Sequence, residues 1–158
     1  MEKNKGELIK VCFAASSGGH FEQLLMLKPL MEKYNSFIVT ERTKYNVVTD
    51  IPSYYVMQIN RKEFLFVFKM FINFLKSIYI IVKEKPDAII CTGVLAMISL
   101  CIIGKIGKSK LIYIESFAKV SSATESGKFL YRFADRFYVQ WEELLEKYPK
   151  AVYIGKIY

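Results

Sequence analysis

Short apolar runs alternate along this chain with longer amphipathic ones, and that rhythm predicts strands and helices in turn. Apolar runs predict strands at Ile9–Ala15, Phe37–Thr40, Tyr54–Gln58, Ala88–Cys91, Leu111–Ile114, Phe137–Val139 and Val152–Ile154. Helices are predicted between them at His20–Lys33, Phe64–Lys83, Val94–Lys105, Glu125–Arg132 and Glu142–Lys147. The strands are apolar along their whole length, as expected when helices cover both faces of a parallel sheet. No repeat, low-complexity stretch or long linker divides the pattern. The expectation is a single α/β domain over residues 1–158, with a doubly wound, mostly parallel, Rossmann-like sheet.

The predicted helix Phe64–Val82 departs from an ordinary amphipathic pattern. Lys69, Asn73, Lys76 and Ser77 recur at i, i+4, i+7 and i+8 and share one face, while Phe66, Phe71, Tyr79 and their neighbours make the rest bulky and apolar. A helix with a wide apolar side and a cationic stripe fits a membrane interface or a partner surface, so Phe66, Lys69, Phe71, Lys76 and Tyr79 are candidate contacts. The plainer alternative is a helix packed on the sheet with its lysines outward. A true span is disfavoured, because each lysine at a bilayer centre costs ~3 kcal/mol. Ala88–Gly104 is uncharged but shorter than the roughly 20 residues that a span requires.

Composition sharpens this picture. Of 158 residues, 53% are hydrophobic and the net charge is +8, so apolar surface beyond the core and an anionic counterpart are both expected. No zinc-finger spacing or RNA-binding aromatic motif accompanies the charge, which excludes the common nucleic-acid binders and leaves anionic lipid or a diphosphate-bearing substrate. Cys12, Cys91 and Cys101 lie in apolar runs, as buried free thiols of a reducing compartment do. They and the single histidine form no ligand cluster, so neither a metal nor a cofactor is expected. The N-terminal segment has basic residues without the apolar run of a signal peptide, and a cytoplasmic location is expected.

Candidate chemistry collects where a parallel sheet binds ligands, beyond the carboxyl ends of its strands. Ser16–His20, Glu41–Lys44, Thr92-Gly93 and Glu115–Glu125 all fall there. Ser17, Gly18 and Gly19 form a glycine turn at a helix start, suited to an anion or simply to a tight turn. His20 beside it is a candidate base or a structural capping residue. Glu41 lies where a nicotinamide enzyme would hold its ribose, but the third glycine of that fingerprint is missing. Glu115, with Ser116 after it, is placed to meet sugar hydroxyls or orient His20. The same segment also reads as a helix cap by Thr124 or Ser126. Lys105, Lys108 and Lys110 form a basic knot at the opposite end of the sheet.

At these residues the chain resembles a known family. Ser16–His20, Lys85–Gly93, Ile112–Val120, Ala134-Asp135, Val139–Glu142 and Tyr148–Gly155 together resemble bacterial polysaccharide-biosynthesis subunits of the PssD and CpsF type. Those subunits are relatives of the membrane-anchoring subunit of the eukaryotic two-chain transferase that adds the second N-acetylglucosamine to dolichol diphosphate. The resemblance implies the N-terminal, acceptor-side half of a split GT-B glycosyltransferase. Its partner would be a small donor-binding subunit carrying the UDP-sugar, and its acceptor a lipid-diphosphate-linked sugar at an anionic membrane surface. The layout is also similar to single-chain peptidoglycan transferases of the MurG type. By that likeness Gly18, Gly19 and His20 match the acceptor loop, with His20 as base, and Glu115 matches a later loop in which Ser116 replaces a glutamine. Thr92 and Gly93 join the acceptor-binding set. The end at Ile154–Tyr158 is expected to fall where a one-chain enzyme would begin its interdomain linker, and no N-terminal anchor like that of the eukaryotic relatives is expected. A non-catalytic adaptor that recruits the donor-binding chain is the alternative.

Overall fold

The computed structural model describes residues 9–43, 49–93 and 95–157. The basic N-terminal segment, Lys44, Val94 and Tyr158, which figure in the expectations above, lie outside those residues. Among the described residues seven strands form one sheet: β1 (Lys10–Ala15), β2 (Asn35–Glu41), β3 (Ser53–Val56), β4 (Ala88–Cys91), β5 (Lys110–Ile114), β6 (Arg136–Val139) and β7 (Val152–Tyr153). Their order is β3-β2-β1-β4-β5-β6-β7 and every neighbouring pair is parallel. The chain therefore reverses its direction of winding between β1 and β4, the switch point at which such sheets open a ligand crevice. All seven predicted strands are present, with shifts only at their ends. β3 stops at Val56 instead of Gln58 because the Asn73 side chain occupies both backbone groups of Met57 (2.8 Å each), so the ladder cannot continue there.

The helices differ more from expectation. His20–Lys33 is two pieces, α1 (Gly19–Leu25) and α2 (Lys28–Met31). Pro29 in the first turn of α2 has no N–H to continue α1, and its ring excludes an unbroken helix there. α3 runs Phe66–Glu84, and a 3₁₀ turn at Leu95–Met97 precedes α4 (Ile98–Ile106). α5 (Glu125–Leu130) begins at the Thr124 cap, whose hydroxyl accepts from the Gly127 N–H at 2.9 Å. The segment predicted as a last helix is a 3₁₀ stretch, Glu142–Glu146.

On one face of the sheet, α3, α4 and α5 bury Ile80, Ile81, Leu100, Cys101 and Leu130 against Cys12, Val39, Ile89, Leu111, Tyr113 and Phe137. Across the sheet, α1 and α2 supply Phe21, Leu24 and Met31 to Phe13, Ile38, Ile90 and Ile114. That second cover is short. It leaves an open groove of about 640 Å³ lined by Ile9, Leu30, Tyr34, Ile90 and Ile112 among others.

The plainer expectation for α3 holds in part. The helix packs on the sheet through Ile80 and Ile81 with Lys76 exposed, but most of its apolar side does not turn in. Asn73 and Ser77, at 1% and 0% exposure, face the sheet, while Phe71 (57%) and Val82 (63%) face out with Val67, Phe68, Leu75 and Ile78. Lys69 and Lys76 flank the buried strip, Phe66 is half-buried, and Tyr79 is exposed. Buried polar groups on a helix are stable only when paired, and both are: Asn73 with the Met57 backbone, Ser77 with the Asn73 carbonyl at 2.7 Å. Among the described residues, no helix is long and apolar enough to cross a membrane.

Candidate functional site

β1 delivers the chain at Ser16 into a turn that only glycine enters easily. Gly18 holds φ +76 and caps α1, and its carbonyl accepts from the Phe21 and Glu22 N–H groups at 2.8 and 3.1 Å. Ser17 is anchored before it. Its N–H and hydroxyl both donate to Glu41 Oε2, at 3.0 and 2.8 Å. The other oxygen, Glu41 Oε1, accepts from the Ile59 N–H at 3.1 Å. Glu41 thus holds the glycine turn to the chain beyond β3, and the ribose-binding reading fails because both of its oxygens are engaged within the protein.

His20 emerges from the turn toward the end of β4. Its Nδ1 lies 2.9 Å from the Thr92 carbonyl, and the Thr92 hydroxyl donates back to the His20 carbonyl at 2.9 Å. A carbonyl only accepts, so this contact places the imidazole proton on Nδ1 and leaves the lone pair on Nε2. Gly93 allows that approach. With φ +144, it lies so close that a Cβ there would stand 2.6 Å from His20 Nδ1. The structure therefore brings Ser17, Gly18, Gly19, His20, Thr92 and Gly93 together at the β1/β4 switch point.

Glu115 does not join them. It is fully buried, and its carboxylate accepts from the Thr124 hydroxyl at 2.9 Å, the Tyr148 hydroxyl at 2.7 Å and the Ser116 N–H at 2.8 Å. Burial pushes the Tyr148 phenol well above its ordinary range, and the bond to Glu115 adds to that, so Tyr148 stays a donor. The expected direct role of Glu115 is corrected: it is a clasp that fixes the loop after β5, and Ser116 lies buried beside it. Through that loop it still shapes the site. Gln23 on α1 accepts from the Phe117 N–H at 3.2 Å, and Gln140 donates to the Glu115 carbonyl at 2.9 Å. Neither glutamine was singled out as a site residue. The only trace of Gln23 in the sequence is an amide set between the apolar positions Phe21 and Leu24.

Far from this end, two lysines of the basic knot share one carboxylate. Asp135 takes Lys105, Lys110 and the Leu111 N–H. Burial opposes its charge, but the lysine and N–H bonds prevail and hold its carboxyl at about 2. Among the described residues no group of histidine, cysteine and carboxylate side chains is placed to hold a metal ion. The three cysteines are buried and unpaired.

Residues 53–157 match the profile of the family described as "Oligosaccharide biosynthesis protein Alg14 like". The human UDP-N-acetylglucosamine transferase subunit ALG14 is 30% identical over 190 residues, spanning 99% of this chain and 87% of the relative. The chain belongs to the Alg14-like family. Among solved structures, MurG from Acinetobacter baumannii shares the fold at TM-score 0.68 and 15% identity over 85% of this chain. UDP-N-acetylglucosamine 2-epimerase from Rickettsia bellii does so at TM-score 0.72 and 13% identity over 96%. The Alg14-like chain spans 42% and 46% of those two structures. The likeness shows the fold, a Rossmann-like sheet of the kind found in one half of GT-B enzymes, as expected from the sequence.

Proposed function

We propose that this chain is the acceptor-side subunit of a two-chain, inverting glycosyltransferase that extends a lipid-diphosphate-linked saccharide. The names of its relatives, transferase subunits for UDP-N-acetylglucosamine, support that reading. Residues 1–158 form one GT-B half, and a small partner chain binds the UDP-sugar and closes the other side of the cleft. Within the family we assign the chain to the bacterial PssD and CpsF type, on the Ile-Glu-Ser-Phe and Val-Gln-Trp-Glu blocks.

One observation carries the chemistry: His20 is bonded through Nδ1 to Thr92, which leaves the lone pair on Nε2, beside an exposed glycine turn. In the reaction, Nε2 takes the proton of the attacking acceptor hydroxyl as its oxygen bonds to the anomeric carbon and the UDP leaves. General-base help of this kind is worth about 10²–10⁴-fold. Ser17, Gly18 and Gly19 line the approach of the acceptor, with Thr92 and Gly93 fixing the imidazole. The apolar face of α3 rests on the cytoplasmic leaflet, and the net positive charge favours an anionic surface.

A second reading, an adaptor without catalytic residues, is favoured by the inward turn of Glu115 and the broad outward face of α3. Sugar transfer by the complex of both chains separates the two. Loss of turnover in His20→Ala with the complex intact supports the catalytic reading, and unchanged turnover leaves the adaptor.

A further inference from the structure

Lys69 and Lys76 lie seven residues apart on one flank of α3, between its buried strip and its exposed apolar face. They face an open cleft of about 460 Å³ with Arg42, Val56, Met57 and Gln58. Arg42 directly follows β2 and is fixed there by the bond from its N–H to the Val56 carbonyl at 2.8 Å. Among the described residues, one carboxylate pairs within this group, Glu63 with Lys69. Arg42 and Lys76 have no carboxylate partner among the described residues, and Lys76 reaches only the Tyr55 carbonyl at 3.5 Å. Like charges gathered on one cleft repel each other unless an anion offsets them. The cleft adjoins Glu41, which anchors Ser17 of the glycine turn, and it opens beside the apolar surface of α3.

We propose that Arg42, Lys69 and Lys76 form an anion site for the diphosphate of a membrane-embedded lipid, whose hydrocarbon chain leaves along the outward face of α3. The proposal rests on the acceptor-side reading for the class of ligand. It locates the diphosphate in this cleft, leaving the glycine turn free for the sugar that the diphosphate carries. Arginine and lysine bonds to phosphate oxygens are charge-assisted and supply the affinity, while the bilayer holds the chain.

The test is a binding titration of the full chain with three probes. These are phosphatidylcholine vesicles carrying a minor fraction of farnesyl diphosphate, vesicles of matched charge carrying phosphatidylserine, and inorganic pyrophosphate in solution. Arg42→Gln/Lys76→Gln is compared with Lys62→Gln/Lys83→Gln, which removes the same charge outside the cleft. The expected result is about a tenfold or greater loss for the diphosphate lipid in the first variant alone, with equal, smaller losses for both variants on phosphatidylserine. Equal losses for both variants on the diphosphate lipid, or none for the first, would overturn the site. Pyrophosphate bound as tightly as the lipid would overturn the lipid assignment. Because binding is read without turnover, failure of the catalytic reading in the sugar-transfer assay and failure of this site are told apart.

Discussion

His20 and Glu115 show how far single residues can be read. The only histidine, placed after two glycines at the end of a strand, was legible as a candidate base because local chain order alone puts it at the switch point. Glu115 was not, because the partners that turn it inward, Thr124 and Tyr148, come from distant loops that no local pattern ties to it. Two outcomes follow at this scale. Gly93→Ala places a Cβ against the imidazole and strains a backbone at φ +144, so turnover of the two-chain complex should fall at least tenfold with His20 still present. A steady-state assay beside a thermal melt checks it. Tyr148→Phe removes a donor from a buried carboxylate and should destabilise the chain by about 1–3 kcal/mol, measured by urea denaturation.

At the scale of elements, α3 carries the clearest lesson. Periodicity placed Lys69, Asn73, Lys76 and Ser77 on one side, but it could not say which side meets the sheet, because that depends on the Met57 backbone across the fold. The inverted burial makes two substitutions diverge. Asn73→Leu adds apolar surface where the helix packs yet leaves both Met57 groups unpaired, so it should cost about 1–3 kcal/mol in denaturant titration. Phe71→Ser with Val82→Ser should leave stability within about 0.5 kcal/mol, because both face outward. The same pair should weaken vesicle binding severalfold in co-sedimentation. The break between α1 and α2 was readable at Pro29 and was missed only because the apolar period runs on across it.

Across the whole molecule, the sheet was the most legible part. Each strand is a short apolar run between turn residues, whereas the order β3-β2-β1-β4-β5-β6-β7 depends on pairing across the fold that no local pattern specifies. The apolar excess also finds its place, on the outward face of α3 and in the open groove over β4 and β5. At the amino-terminal edge, Asp135 ties α4, β5 and β6 through Lys105, Lys110 and the Leu111 N–H. Its carboxyl is held at about 2 against the ordinary 3.8, so its contribution is present above 3.8 and is lost as pH falls toward 2. Urea midpoints measured down that range should drop for the native chain and fall less steeply for Asp135→Asn. The most direct test of the central claim is sugar transfer from UDP-N-acetylglucosamine to a lipid-diphosphate-linked acceptor by the reconstituted two-chain complex. Turnover should require both chains and fall about 10²–10⁴-fold in His20→Ala while the complex stays assembled. Full turnover by the partner alone, or by the His20→Ala complex, would contradict it.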